Sequence, residues 1–328
     1  MNTICLLDPG IENNAGDSSP NLGDLIIQES VNREIKQIFG SQQLIRFSTH
    51  SYLDYKSISR IQTSTNILIG GTNLLSSNMN KYCQWKISFL DAVRIKNAVL
   101  LGVGWWQYQG KPNFYTAKLL RFALSGKIQH SVRDNYSKEQ LSSIGIRNVI
   151  NTGCPTMWPL AGINASQFIN QKANSALLML TDYNKEPDLD RQLANLLLSR
   201  YESVYFWPQG RGDLEYAREM NLPFKFLDHS FSGLQEFVNS DISFDYIGTR
   251  LHGGVYCLNR RKRALIIEID NRAREIGKDT GLPTVKRDDL AYIEKWISCS
   301  QSPRIILDVD AIERWKNQFI SVRDTVLA

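Results

Sequence analysis

The spacing of hydrophobic positions changes repeatedly along the chain. Short apolar runs rich in β-branched residues alternate with longer amphipathic stretches from one end to the other, which is typical of βαβ units and a parallel sheet. The sequence therefore predicts an α/β protein, in which one of the helices between strands covers Lys81 to Ile95. The predicted strands are Thr3 to Leu7, Leu44 to Phe47, Asn66 to Ile69, Ala98 to Val103, Lys127 to Val132, Asn148 to Ile150, Ala176 to Thr181, Val204 to Trp207, Phe224 to Leu227, Ser243 to Ile247 and Ala264 to Ile269.

A stretch rich in Gly, Pro, Asn and Ser interrupts this alternation between Asn151 and Asn174, and we interpret it as a linker. It predicts two Rossmann-like domains, an N-terminal one over residues 1–155 and a C-terminal one over residues 175–300, facing each other across a cleft in a GT-B-like architecture. Residues 301–328 contain a terminal helix that is a candidate to pack back on the N-terminal domain. Its apolar stripe consists of Val309, Ile312, Trp315 and Phe319.

Charge adds little to this picture. The 328 residues include 38 basic and 33 acidic side chains, a net charge of +5, which is ordinary for a soluble protein and too small to predict nucleic acid as a partner. One basic cluster, Arg260 to Arg263, has two interpretations. It could contact phosphate or an anionic membrane surface, or it could be the solvated C-terminus of a helix.

The five cysteines are scattered, without a CxxC pair or a Cys/His cluster, so neither a disulfide framework nor a metal site is predicted. No apolar run approaches the ~20 residues that cross a bilayer, and the start of the chain lacks the pattern of a signal peptide. We expect a cytoplasmic protein, and peripheral attachment to the inner face of the cytoplasmic membrane stays open.

Paired glycines end one of the predicted strands. Gly70 and Gly71, followed by Thr72, come directly after Asn66 to Ile69. Glycines allow close approach of the backbone, and their N–H groups can bind an anion. Since ligands of parallel α/β sheets bind beyond the carboxyl ends of the strands, this loop is a candidate anion site.

Two arginines occupy equivalent positions in the two halves. Arg133 and Arg250 each follow a predicted strand, and a guanidinium binds carboxylate and phosphate bidentately. If the halves face each other, the two arginines suit an anion that carries both a carboxylate and a phosphate. Considered separately, each arginine could instead form a structural ion pair. His252 lies two residues after Arg250, before Gly253, and is the best acid or base candidate among the histidines.

Other candidates have structural alternatives of similar weight. Asn21 and Asp24 begin a helix, where Asp24 could cap the first turn rather than act on a substrate. Trp105 and Trp106 follow a glycine-ended strand and could either pack between domains or stack on a sugar.

Taken in order, the segments NLGD, IGG, LGVG, SVRD and RLHGG, the last followed by IEIDNRAREIGKDTGLP, resemble the polysaccharide pyruvyltransferase family over nearly the whole chain. The segment with RLHG is the most specific of these. The lysine that is usual in the family after Asp270 is Arg272 here.

The resemblance implies transfer of the pyruvyl group of phosphoenolpyruvate to two hydroxyls of a sugar, forming a pyruvate ketal in a surface polysaccharide or its lipid-linked or nucleotide-linked precursor. It implies no cofactor, with the C-terminal domain on the donor side and the N-terminal domain on the acceptor side. The donor-binding candidates are Arg133, Arg250, Gly70, Gly71, Thr72 and Gly253. The catalytic candidates are His252, Arg250 and Asp24, with Asp270 as an alternative base, and the acceptor-binding candidates are Asn21, Trp105, Trp106 and Asp270.

Two other functions stay open, because fold does not determine function. A glycosyltransferase of the same architecture would use a nucleotide sugar, with Glu268 or Asp270 binding its ribose. An inert sugar-binding component of a polysaccharide assembly complex would show no turnover.

Overall fold

The computed structural model describes residues 2–320, and these divide into two compact units. The first unit contains residues 2–19, 27–158 and 307–320, and the second contains Pro20–Ile26 and Pro159–Ile306. The short segment Pro20–Ile26 thus groups with the second unit, although the chain on both sides of it belongs to the first. The domain boundaries and the cleft expected from the sequence stay predictions.

Strands and helices alternate along the first unit. Its elements are β1 (Thr3–Asp8), α1 (Leu22–Phe39), β2 (Gln43–Ser48), α2 (Tyr55–Gln62), β3 (Asn66–Gly70), α3 (Phe89–Ile95), β4 (Val99–Leu101), α4 (Phe114–Ala123), β5 (His130–Val132), α5 (Asn135–Ser143), β6 (Val149–Asn151) and, from the end of the chain, α12 (Val309–Asn317). The first residues of α1 lie in the segment that groups with the second unit.

The strands of the first unit pair in parallel, in the order β2-β1-β3-β4 and, separately, β5-β6. A parallel bridge between Val103 and Val132 continues the first set into the second, and the Gly102 N–H donates to the Ser131 carbonyl at 3.0 Å. The carboxyl ends of β3, β4 and β5 therefore meet at one edge.

Both faces of this sheet are buried, because successive side chains of a strand point to opposite faces. Ile4 and Leu6 of β1 lie in one apolar cluster with α1 and α12, and Cys5 and Leu7 lie in another with α2, α3 and α4. This two-sided burial explains why the strands of the sequence are almost continuously apolar.

The second unit is built in the same way. Its elements are β7 (Ser175–Met179), α6 (Pro187–Arg200), β8 (Ser203–Phe206), α7 (Arg211–Glu219), β9 (Lys225–Phe226), α8 (Phe231–Asn239), β10 (Phe244–Gly248), α9 (Leu251–Asn259), β11 (Ala264–Glu268), α10 (Asn271–Thr280), β12 (Thr284–Lys286) and α11 (Leu290–Ser298). The strands pair in parallel in the order β12-β11-β10-β7-β8-β9.

This is the doubly wound, Rossmann-like α/β fold that the sequence predicts. The order reverses between β7 and β10, which lie side by side while the chain leaves them in opposite directions along the sheet. In such sheets the reversal opens a crevice at the carboxyl ends of the two strands. The loops that follow β7 and β10 are therefore where a ligand is expected.

Each predicted strand is present, with ends shifted by a few residues, but one predicted helix start and one predicted core position were wrong, and two elements were missed. The helix predicted over Lys81 to Ile95 begins only at Phe89, because Ser88 and Asp91 form a capping box there, and such a box sets a helix start. The helix α2 and the strand β12 were not predicted. Val309, assigned to the buried stripe of α12, is 46% exposed, whereas Ile312, Trp315 and Phe319 are buried.

Candidate active site

Arg250 is the first residue to consider at the strand-order reversal of the second sheet. It follows β10 and is the N-cap residue of α9, and only 5% of its surface is exposed. Its Nε donates to Asp213 Oδ2 at 3.0 Å, and its Nη2 donates to the other oxygen of the same carboxylate. A bidentate contact of this kind fixes the plane of the guanidinium.

Asp182 contacts the same guanidinium from the loop after β7. Its Oδ1 lies 3.4 Å from Arg250 Nη2, and 39% of its side chain is exposed. The ring of Tyr183, the next residue, lies 5.0 Å from the Arg250 guanidinium carbon. The guanidinium is thus held firmly by the buried Asp213 and more loosely by the accessible Asp182.

Asp213 connects three loops at this edge. Besides Arg250, its carboxylate accepts the backbone N–H groups of Asp182 at 2.8 Å, Gln209 at 3.1 Å and Gly210 at 2.8 Å. Burial raises the pKa of the Asp213 carboxyl, while Arg250 and the backbone donors act in the opposite direction. The sequence interpretation missed Asp213, although the turn QGRGD after β8 was a usable signal.

His252 and Gly253 lie in the first turn of α9, directly after Arg250. His252 is buried. A Cβ on Gly253 would meet the Met179 side chain, and one on Gly254 would meet Ile266, so these glycines let α9 pack closely on the sheet. The structure therefore brings Arg250 and His252 to the same edge and gives Gly253 a packing role.

The NLGD segment reaches this edge as well. The Asn21 side-chain oxygen accepts from Gln209 Nε2 at 2.9 Å, and the Leu22 N–H donates to the Gln209 carbonyl at 3.0 Å. Asn21 in turn donates to Asp24 Oδ2 at 3.1 Å. Because the N–H of Gln209 binds Asp213, Asn21 and Asp24 are linked to the Arg250 loops through one residue.

A second arginine of this unit lies beside Tyr183. Asp270 is the N-cap of α10, and its carboxylate accepts the Arg272 backbone N–H at 2.9 Å and Arg272 Nε at 2.8 Å. Arg272 also donates to the Tyr183 hydroxyl. Tyr183 thus contacts both Arg250 and Arg272, and Asp270 is occupied as a cap and as the partner of Arg272.

In the first unit, the glycine motifs and Arg133 meet at the carboxyl edge of the sheet. The Gly104 N–H donates to the Thr72 carbonyl at 2.9 Å, and a Cβ on Gly71 would meet the Gly102 carbonyl oxygen. Gly70, one residue earlier, is the last residue of β3. The glycines therefore allow the loops after β3 and β4 to lie against each other.

Arg133 is 1% exposed beneath these loops. Its guanidinium donates to Asn73 and, at 3.4 Å, to Asp134, and a Cβ on Gly104 would meet it. These contacts make Arg133 a connector of three loops in its own unit. Its role in donor binding stays a prediction.

The two adjacent tryptophans differ in environment. Trp105 is fully buried, and its Nε1–H lies 3.3 Å from Ser77 Oγ and from Gln109 Oε1. Trp106 is partly exposed and stacks on Tyr82 with ring centroids 4.0 Å apart. Core packing therefore describes Trp105 better, and Trp106 keeps the accessible face that sugar stacking needs.

The basic cluster of residues 260–263 is not a continuous charged surface. Arg263 is buried and donates to Asp245 at 2.9 Å, and Arg260 is the C-cap of α9 and lies over the Tyr256 ring. The interpretation as a helix C-terminus therefore fits better than that of a phosphate or membrane contact. Within residues 2–320, no helix is long and apolar enough to cross a membrane, and no cluster of His, Cys, Asp and Glu is suited to a metal ion.

Fold and site together define a class: a doubly wound α/β protein with buried arginines fixed at the carboxyl edges of its parallel strands. The model of the polysaccharide pyruvyl transferase family matches residues 21–271, a segment that contains NLGD, both glycine motifs, Arg133 and the Arg250 turn. The chain belongs to this family. It is therefore a transferase, and the family supports pyruvyl transfer to a polysaccharide. A comparison with curated proteins found no match.

Proposed function

We propose that this protein transfers the pyruvyl group of phosphoenolpyruvate to two hydroxyls of one sugar and releases phosphate. The observation that carries the proposal is the buried Arg250, fixed by Asp213 where the strand order of the second sheet reverses. A rigid guanidinium at a parallel-sheet crevice suits a small dianion or trianion. His252, two residues after Arg250 in the first turn of α9, is the acid or base candidate at the same edge of the sheet.

Donor binding uses the arginines that contact Tyr183. Arg250 and Arg272 lie 5.0 and 5.6 Å from its ring, so both can reach one small ligand that carries a carboxylate and a phosphate. Arg133 of the first unit stays a donor-binding candidate from the resemblance alone. No cofactor is needed for the chemistry.

The reaction begins with protonation of the methylene carbon, which becomes the methyl group and leaves the central carbon electron-poor. One sugar hydroxyl attacks that carbon and loses its proton to a base, and the C–O bond to phosphate breaks with its electron pair going to phosphate. The second hydroxyl then forms the second C–O bond and loses its proton. His252 is our candidate for the proton donor or for assisting phosphate departure.

Asp182 is the carboxylate best placed to be the base. Asp24 bonds to Asn21 and is buried, and Asp270 is held by Arg272 and by its helix. Asp182 is the more accessible of the three and contacts Arg250 directly. An acceptor hydroxyl could therefore reach it beside the donor.

A glycosyltransferase is the second candidate function. The strand order of the second unit is that of dinucleotide-binding sheets, and Glu268 at the end of β11 is the carboxylate that would bind a ribose. This function requires a nucleotide sugar instead of phosphoenolpyruvate.

Thermal-shift titrations distinguish these functions. Phosphoenolpyruvate at 100 times its Kd is expected to stabilise the protein by ~2.7 kcal/mol, and Arg250→Lys, which keeps the charge but loses the bidentate contact, is expected to lose most of this effect. Arg218→Lys, at an exposed arginine of the same unit, is the control. Stabilisation by UDP or UDP-glucose alone would replace our proposal with the glycosyltransferase, and phosphoenolpyruvate binding without phosphate release in the presence of any sugar acceptor would favour the inert component.

A further inference from the structure

A polar pocket of about 350 Å³ lies at the carboxyl ends of β11 and β12 in the second unit. Its size is within the ~300–1,000 Å³ of pockets that bind small ligands. The charged side chains of its lining are three acidic and three basic ones, Glu186, Glu268, Asp288, Arg274, Lys286 and Arg287. The resemblance instead implies an acceptor on the N-terminal domain, and none of these residues is among the acceptor-binding candidates from the sequence.

The walls of this pocket are fixed by contacts among their own residues. Glu268 accepts from the Thr284 hydroxyl at 2.9 Å and from Arg274 Nε at 3.2 Å. Arg287 is held by the buried Asp190 through Nε at 3.0 Å and donates to the Asn184 carbonyl at 2.7 Å. The polar groups are thus preorganised, and preorganisation lowers the cost of binding.

The pocket and the Arg250 site share two loops. Asn184 lines the pocket and directly follows Asp182 and Tyr183, which contact Arg250. Its side-chain amide donates to the Ile269 carbonyl at 2.6 Å, and Ile269 lines the pocket next to Asp270. The loops after β7 and β11 therefore contribute residues both to the pocket and to the group around Arg250 and Arg272.

We propose that this pocket binds the acceptor as an uncharged, polyhydroxylated pyranose; this inference rests on the proposed transfer from phosphoenolpyruvate. Each sugar hydroxyl both donates and accepts a hydrogen bond, so it suits a wall on which carboxylates and cations alternate. A diphosphate needs an excess of positive charge, and this lining carries equal numbers of acidic and basic groups. A sugar therefore fits better than the phosphates of a nucleotide.

Saturation-transfer NMR with methyl glycosides tests this pocket directly. The probes are the methyl glycosides of glucose, galactose, mannose and N-acetylglucosamine, with UDP as a separate probe. At least one glycoside is expected to bind the unaltered protein, and Lys286→Ala and Glu268→Gln are each expected to raise its Kd about tenfold, the cost of one hydrogen bond to a charged group. Lys278→Ala removes a lysine of the same unit that is 74% exposed outside the pocket and is expected to change nothing.

The pocket proposal is overturned if no glycoside binds, if both variants bind as tightly as the unaltered protein, or if only UDP binding is lost in the variants. In turnover assays, both variants are expected to have a higher KM for the sugar than the unaltered protein and an unchanged KM for phosphoenolpyruvate. The proposed function fails separately, because that failure is an absence of phosphoenolpyruvate stabilisation in the unaltered protein.

Discussion

At the scale of single residues, the contact between Asp213 and Arg250 decides how a substitution of Arg250 affects the protein. The two form a buried ion pair, and removing one partner of such a pair costs about 3–5 kcal/mol because the other charge stays buried. Arg250→Ala would therefore combine a folding defect with any loss of donor binding. Arg250→Lys keeps the charge beside Asp213 and tests binding more cleanly.

His130 is a buried histidine with a structural function. Its Nδ1 accepts the Leu100 N–H at 3.2 Å, so Nε2 carries the proton and donates to the Ser125 carbonyl at 2.9 Å. Burial lowers its pKa from 6.5 to about 4. A second proton would face the Leu100 N–H, so the neutral form is the one that fits.

The stability of the protein is expected to depend on pH through His130. The unfolded chain binds a proton at His130 that the folded protein does not, so the contribution of His130 to stability is complete above pH 6.5 and is lost as the pH falls toward about 4. At ~1.4 kcal/mol per pH unit the loss is about 3 kcal/mol. His130→Gln cannot titrate, and its unfolding free energy in urea should fall less over this interval. Equal pH dependence of the two proteins would contradict the assignment.

At the scale of elements, the loops after β3 and β4 depend on a backbone contact. A Cβ on Gly71 would meet the Gly102 carbonyl, whereas a Cβ on Gly70 would lie 3.3 Å from the Pro9 side chain. At 3.3 Å the neighbour of Gly70 has to shift by only a few tenths of an ångström, whereas the overlap at Gly71 is with backbone and is much larger. The two adjacent glycines of this motif therefore differ in how well each tolerates substitution by alanine.

Gly71→Ala is expected to destabilise the protein by about 1–3 kcal/mol, the usual cost of forcing extra volume into a packed site. Gly70→Ala, one residue earlier, should cost clearly less. Melting temperatures of the two variants provide the comparison, and an equal or larger loss in Gly70→Ala would refute the explanation.

Prediction of elements succeeded where local signals were strong. Strands buried on both faces are continuously apolar and were found from the sequence, whereas α2 is short and polar on its surface and was missed. The segment 81–88 carries apolar residues such as Trp85 that pack into the core without forming a helix. The apolar residues of this segment indicate that it is buried. Their spacing did not distinguish a buried loop from a helix.

At the scale of the whole molecule, the end of the chain completes the core of the first unit. Trp315 of α12 is fully buried, with its ring 5.9 Å from that of Trp158 and 5.0 Å from that of Phe319. Phe319 in turn contacts Phe39 of α1 at 5.3 Å. The core of the first unit therefore combines residues of α1 and α12, which are far apart in the sequence.

Trp315→Ala is expected to cost about 3–5 kcal/mol, as large buried aromatic residues do. Val309→Ala on the same helix removes an exposed side chain and should change stability by less than about 0.5 kcal/mol. Denaturant unfolding of both variants measures the difference. A small effect of Trp315→Ala would mean that α12 does not contribute to the stability of the first unit.

The sequence by itself determined the α/β class, most strands, the family and the pairing of Arg250 with His252 in one turn, because each depends on residues that are neighbours in the chain. Tertiary structure decided which distant groups meet. It placed Asp213 beside Arg250, Asn21 beside Gln209 and Thr284 of β12 beside Glu268, since strand order brings together segments that are far apart in sequence. It also decided burial, because the packing of neighbouring elements, and not hydrophobicity alone, separates Trp105 in the core from Trp106 at the surface.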